Sequence, residues 1–196
     1  MKTVKRIVAV LLAVVLMAPA AVNAAAPSVT KTSINNKKAN ATVTYNKKNQ
    51  APTTVTINGK KLVVGKDCVI VGKKQKNAGQ YVLTVKGIGN YSGKTDVVFT
   101  IKKAKQTIKT SVDQKSYKAS AVKKANKKLA LKPKAVRKQF TYTVKGKDAK
   151  KYISVNKNGK VTIKKGIKKG TYKVVIKAKA TKNHKAGKKV VRIIIK

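Results

Sequence analysis

The strongest constraint on the fold of this chain is a two-residue alternation of apolar and polar side chains, renewed in segment after segment. In "QYVLTVKG", Tyr81, Leu83 and Val85 share one face while Val82, Thr84 and Lys86 share the other. "TDVVFTIKK" sets Val97, Phe99 and Ile101 against Val98, Thr100 and Lys102. Further on, Val161 and Ile163 alternate with Thr162 and Lys164, and Tyr172, Val174, Ile176 and Ala178 alternate with Lys173, Val175, Lys177 and Lys179. A period of two gathers apolar side chains on one face only in an extended strand, so these segments are expected to be strands with one buried face. Helical periodicity hardly occurs. The segment "SYKASAVKKANKKLALKPKA" fits the alternation least and has room for a helical turn.

Turn chemistry separates the runs. Asn58-Gly59 and Asn158-Gly159 each stand between β-runs, and an Asn-Gly pair is the strongest short hairpin signal because both residues tolerate positive φ. "KGIGNYSGK" and "ATKNHKAGK" read as Gly/Asn-rich connections. The chain also repeats itself. Gly79-Gln-Tyr81 before "VLTVK" matches Gly170-Thr-Tyr172 before "KVVIK". After a connection three residues longer in the second copy, Gly93-Lys94 leads to Ile101-Lys102 as Gly187-Lys188 leads to Ile195-Lys196. Two units are therefore expected to end in the same hairpin, with a boundary near Ala104. Each is of a size at which one β-sandwich can bury a core.

The first unit resembles the small repeated Ig-like modules in surface proteins of Gram-positive anaerobes. Leu62, Gly65, Asp67, Gly87, Gly89, Asn90, Tyr91, Gly93, Phe99 and Ile101 occupy the positions of that pattern. It departs at Cys68, where the family usually has an aromatic residue. The second unit, from "YTVKGKDAKKYISVNKNGKVTIKK" onward, resembles a companion Ig-like or cadherin-like module. The resemblance implies an all-β fold of two tandem Ig-like β-sandwich domains, residues 25–104 and 105–196. It says little about function, because such modules serve as spacers, wall-associated domains and adhesive tips, and fold does not dictate activity.

Residues 1–24 are expected to be a cleaved signal peptide. Lys2, Lys5 and Arg6 precede an apolar run from Ile7 to about Val22, and Val22 and Ala24 are the small residues before the cut. The apolar run is about 16 residues and contains Pro19, short of the roughly 20 that a spanning helix needs. The mature chain is thus expected to be exported without a membrane span. The C-terminal "KKVVRIIIK" is only strand-length, so retention at a cell is expected to be non-covalent. Cys68 is the sole cysteine, which leaves no intramolecular disulfide. Its strand-like setting in "DCVIVG" favours a buried thiol over an intermolecular disulfide.

Charge narrows the function classes. The chain has 49 basic residues against four acids, for a net charge of +45. The signal segment holds three of the basic residues and no acid, which leaves +42. Such a charge repels itself and calls for a polyanionic partner or abundant counterions. Lysine outnumbers arginine 46 to 3. Arginine's planar fork reads bases and grips phosphate bidentately, whereas lysine is a hydrated point charge, so the coat predicts adhesion to a diffuse polyanion without sequence readout. Amphipathic basic helices, the means of membrane disruption, are missing from the pattern. Most of the nine aromatics fall on inward faces or in turns, away from any base-stacking platform.

No catalytic motif occurs. His184 stands alone in a Lys/Asn/Gly loop, and the four aspartates, Asp67, Asp96, Asp113 and Asp148, are at least 17 residues apart. Asp67 and Asp96 are expected to serve turns or to relieve the positive field. Neither an enzyme, a cofactor nor a metal site is expected. The candidate binding surface is Lys164, Lys165, Lys168 and Lys169 around "GIKKG", Lys173, Lys177 and Lys179 on the next outward face, and Arg192 and Lys196 on the strand expected to pair with it. The expected partners are an anionic cell-wall polymer such as teichoic acid, an acidic glycan or mucin, or extracellular DNA bound non-specifically. A second reading treats the lysines as adaptation to solubility and the wall, with a host or bacterial surface protein bound through loops. A third, a cationic antimicrobial or host-directed effector, is demanded by no feature of the sequence.

Overall fold

The computed structural model describes residues 30–196, so the expected signal segment and the start of the mature chain lie outside the described residues. Eight strands precede residue 104: β1 (Thr32–Ser33), β2 (Ala39–Thr44), β3 (Thr54–Ile57), β4 (Lys60–Val63), β5 (Cys68–Val71), β6 (Gly79–Gly87), β7 (Tyr91–Ser92) and β8 (Lys94–Lys102). Seven strands and two helical turns follow: β9 (Gln114–Tyr117), α1 (Ala119–Lys124), β10 (Lys127–Ala130), β11 (Phe140–Lys145), α2 (Ala149–Tyr152), β12 (Ile153–Val155), β13 (Lys160–Ile163), β14 (Gly170–Ala178) and β15 (Gly187–Ile195). The poorly alternating segment does hold a helical turn, α1. The second turn, α2, has no periodic signal of its own.

The alternation read from the sequence is what buries the core. Leu83, Val85, Val97, Phe99 and Ile101 are at most 5% exposed and share one apolar cluster drawn from residues 34–101. Val161, Ile163, Val174, Ile176, Val191 and Ile193 belong to a second cluster, drawn from residues 108–195, and each is fully withdrawn from water. Burial of this kind contributes roughly 1.5–3 kcal/mol per large side chain. Val175 departs from the alternation. It stands on the outward face yet is 5% exposed, because β14 is an inner strand and Val175 lies between Thr143 and Val190 in register. Its neighbours two residues away on the same face, Lys173 and Lys177, have long alkyl stems that can lie over it.

The later strands form two layers over one core. A four-stranded sheet of order β11-β14-β15-β9 faces a three-stranded sheet of order β10-β13-β12. In chain order this is the immunoglobulin arrangement, in which the second, fifth and fourth strands make one sheet and the third, sixth and seventh the other, with the first strand added parallel to the last. Near the start of the sixth strand, the Tyr172 hydroxyl donates to the Lys168 carbonyl at 2.9 Å, the hydrogen bond of a tyrosine corner. The earlier strands depart from the expected two-sheet sandwich. Six of them form one sheet, β4-β3-β2-β8-β6-β5, bent over its own core, so that Leu62 from one edge strand and Cys68 from the other enter the same cluster, and the other two, β1 and β7, pair in parallel. The reason is local. Asn58 and Gly59, at φ 46° and 83°, close a two-residue turn that sends β4 straight back along β3, and this hairpin hangs from β2. The second Asn-Gly pair behaves differently. Only Gly159 has positive φ, because the loop begins at Asn156, whose side chain accepts from the N–H groups of Asn158 and Lys160.

The repeated hairpin is real at the level of register. Gly79 pairs with Ile101 in β6·β8, and Gly170 pairs with Ile195 in β14·β15. The second copy has one more ladder pair and one more loop residue, which accounts for its three extra residues. In both copies the closing strand is flanked by a parallel partner, β2 beside β8 and β9 beside β15.

Residues 31–196 form one compact unit, and the contacts between its two cores run through the loop after β14. Asn183 accepts from the Ala78 N–H at 2.8 Å and donates to the Asn77 side chain at 3.0 Å. Ala104 donates to the Asn183 carbonyl and accepts from Lys185. His184 packs edge-on against Tyr45 with ring centroids 5.3 Å apart, so this loop residue is a buried joint element. Gln106 holds the returning chain by donating to the carbonyls of Lys179 and Lys185.

Candidate polyanion-binding surface

All nine basic residues singled out in the sequence are exposed, and strand register sorts them into groups. β14 and β15 are neighbours, and Lys173 lies directly opposite Arg192. On its other side β14 meets β11, which places Lys145 opposite Lys173. A basic row Lys145–Lys173–Arg192 therefore crosses three strands, with steps of about 5 Å. Four ladder pairs further along, Lys177 lies opposite Lys188, with Val175 and Val190 between the rows on the same face. Like charges placed opposite one another are destabilising. Lys145 and Lys188 were missed from the sequence, although their parity in "FTYTVK" and "GKKVVR" puts them on the same face as Lys173 and Arg192.

The loop between β13 and β14 builds a second group. Ile167 is 4% exposed and plugs into the core, which turns Lys168 and Lys169 out beside it. With Lys196, Lys118 and Lys123 they wall a cleft of about 650 Å³ over Ala119 and Ile167. Val122, fully buried, anchors α1 here, and the Ala119 N–H donates to the Lys196 carbonyl at 2.7 Å. Lys118 and Lys123 could not be assigned from sequence, because packing of Val122 and not a strand period sets their position.

Two expectations of a contiguous patch fail. Lys164 and Lys165 do not line this cleft. Their N–H groups are tied to the Tyr152 carbonyl and the Asn126 side chain, beside the three-stranded sheet. Lys179 follows the far end of β14, nine residues from Gly170 and so about 30 Å along an extended strand.

Lys168 and Lys169 also border a smaller cleft of about 110 Å³, shared with Lys147, Asp148, Tyr152 and Tyr172. Burial, with Asp148 and Tyr152 nearby, pushes the Tyr172 hydroxyl above its ordinary pKa, so it stays a neutral donor to the Lys168 carbonyl. Asp148 is the one acid in this basic region, and its carboxylate makes no capping hydrogen bond to α2.

Other titratable groups have structural partners. Among the described residues the one ion pair joins Lys189 to Asp113 at 2.8 Å, and hydrogen bonds from Lys189 and Thr110 hold that carboxyl below the usual range. Asp67 accepts from the Val63 N–H and Asp96 from the Thr84 hydroxyl. Cys68 is fully buried as a free thiol, and burial raises its pKa. No group of three metal-ligating side chains occurs among the described residues, and none of their helices is long and apolar enough to cross a membrane.

No protein-family model and no curated protein matches the chain. Solved structures with a similar strand arrangement include Drosophila N-cadherin EC1-4, at TM-score 0.36 and 14% identity over 81% of this chain and 48% of that one. A SusE-like surface-located polysaccharide-binding protein from the Bacteroides thetaiotaomicron heparin utilisation locus gives TM-score 0.32 and 14% identity over 82% and 33%. The N-terminal eight Ig domains of Down Syndrome Cell Adhesion Molecule give 0.34 and 11% over 80% and 25%. The chain thus spans less than half of each of these three structures. Likenesses this distant fix neither ligand nor partner, and the Ig-type topology of the later strands rests on their own pairing.

Proposed function

We propose that this is an exported, two-module, strongly cationic protein that adheres non-covalently to anionic polymers at a bacterial surface or in its surroundings. The modules are residues 25–104 and 105–196 after removal of residues 1–24, and the polymers are teichoic acid, acidic glycans such as mucin, or extracellular DNA. The observation that carries the reading is the outward face of β11, β14 and β15. Lys145, Lys173 and Arg192 stand abreast there, and the only ion pair among the described residues lies elsewhere, between Lys189 and Asp113. A protein that needed lysine for solubility alone would mix signs on this face and avoid like charges in register.

The test is a glycan and polyanion binding array run at two salt concentrations. Binding is expected to several polyanions, with log affinity falling steeply against log salt as condensed counterions are released. Retention insensitive to salt would refute the reading.

A second reading, recognition of a protein, is favoured by one feature of the six-stranded sheet. Val82 and Val98 are cross-strand partners on its outward face, 69% and 44% exposed, and Val71 on β5 is 56% exposed. Binding of a surface protein that survives high salt and is lost on replacing Val82 and Val98 with Thr would support this alternative.

A further inference from the structure

We infer that the paired clefts on either side of Lys168 and Lys169 form a subsite for an anionic glycan, a polymer whose rings carry hydroxyl groups as well as charge. The inference rests on the polyanion reading and narrows it. The large cleft, with Lys118, Lys123 and Lys196 facing Lys168 and Lys169, is built for negative charge of any kind. The small cleft is not. It adds Tyr152, which is half-buried, and the carboxylate of Asp148 to the same two lysines and Lys147.

Asp148 is one of only four acids in 196 residues, and it lines this cleft among Lys147, Lys168 and Lys169. Its structural duties do not explain an ionised side chain. The backbone there is left-handed, φ 53°, which asparagine accepts as readily, and the carboxylate caps no helix N–H. Towards a polyphosphate or nucleic-acid backbone this carboxylate is repulsive. Towards a sugar it is a strong acceptor for a ring hydroxyl, a charge-assisted hydrogen bond that a phosphodiester chain without free hydroxyls cannot supply. Tyr152 complements it. Lys151 Nζ stands over one face of its ring, 5.6 Å from the centroid, and the opposite face, with the negative potential of an aromatic, favours the weakly positive C–H face of a pyranose.

Tyr172 is a positioning residue. Its hydroxyl holds the Lys168 carbonyl at 2.9 Å and so fixes the ridge between the two clefts. A polymer crossing the ridge places a charged group among the lysines of the large cleft and an adjacent ring between Tyr152 and Asp148.

The experiment compares the full mature chain with Asp148→Asn, Tyr152→Leu and Lys118→Gln/Lys123→Gln. Binding is measured to polygalacturonate, to inorganic polyphosphate of matched charge and to duplex DNA, all at one physiological salt concentration. Thermal unfolding of each variant checks the fold, and Asp148→Asn keeps the residue shape and tolerance of positive φ. Asp148→Asn is expected to weaken polygalacturonate binding by about three- to tenfold, as for exchange of a charge-assisted hydrogen bond for a neutral one, while leaving polyphosphate and DNA binding equal or tighter. Tyr152→Leu should follow the same split, and Lys118→Gln/Lys123→Gln should weaken all three probes. If Asp148→Asn tightens every probe alike, the carboxylate is only a local repulsion and the glycan subsite is refuted, while polyanion binding itself stands. If the wild type binds none of the three probes, both readings fall together.

Discussion

Tyr81 and Tyr172 each stand two residues after the glycine that opens the first strand of the repeated hairpin. Each hydroxyl donates to a carbonyl four residues upstream, Asn77 or Lys168, at 2.9 Å. The shared "G-x-Y" is thus the residue-scale basis of the repeat, a corner that locks the incoming loop to the strand. Replacing either tyrosine with phenylalanine leaves a partly buried carbonyl without its donor and is expected to cost about 0.5–1.5 kcal/mol, read from urea unfolding. Only Tyr172→Phe should also weaken polyanion binding, because only its acceptor belongs to a lysine of the clefts; equal affinity loss in both variants would contradict this placement. The residues that carried the family resemblance have structural duties of the same kind. Leu62, Phe99 and Ile101 are core, and Asp67 accepts from the Val63 N–H across a tight turn. Gly93, at φ 85°, presses so closely on the Asn35 side chain that a Cβ would displace it, and that same side chain accepts from the Lys94 N–H. A pattern made of such residues predicts a fold and is silent about a ligand.

At the scale of elements, the lysines divide by which strand or turn carries them. Lys168 and Lys169 border both clefts, whereas Lys164 and Lys165 hang from the end of β13 beside the other sheet. Replacing Lys168 and Lys169 with Gln is therefore expected to weaken polyanion binding more than replacing Lys164 and Lys165. Each lysine that no longer neutralises a phosphate lowers the slope of log affinity against log salt by about 0.7–0.9. Equal effects from the two pairs would mean that bulk charge, and not the clefts, controls binding. The division also marks what the sequence could show. Period-two alternation located β6, β8, β13, β14 and the inward residues of each, and the repeat located the hairpin register. What it could not locate depended on tertiary packing. α1 is placed by Val122 in the core and by the Ala119 hydrogen bond to Lys196, so Lys118 and Lys123 were invisible as site residues. The assumption that one loop points its lysines one way failed because Ile167, in the middle of "KKGIKKG", plugs the core and separates the two pairs. The joint role of His184 and Asn183 was equally hidden, since their partners, Tyr45, Asn77 and Ala78, are more than 100 residues away.

For the whole molecule, charge opposes the fold that the strands create. The chain has 49 basic residues and four acids, and one of those acids, Asp113, already pairs with Lys189. The remaining lysines therefore repel one another across a unit whose two cores share a joint through Asn183 and His184. Screening reduces that repulsion. The Debye length falls from about 30 Å at 0.01 M salt to about 3 Å at 1 M, so repulsion between neighbouring strands, about 5 Å apart, is largely quenched only at the high end. In sodium chloride without any polyanion, the melting temperature is expected to rise with concentration. A relief of about 2 kcal/mol appears as about 4–8 °C for a chain of this length. A polyanion acts in the opposite salt regime. It stabilises the native state by mass action at low salt and loses its hold as counterions compete. Scans at increasing sodium chloride, with and without polygalacturonate, should therefore give two melting curves that start apart and converge, the free protein climbing while the ligand's gain shrinks. A melting temperature that is flat or falls with salt in the free protein would mean that the lysine coat exerts no net strain. The drive toward a polyanionic partner would then have to come from the clefts alone.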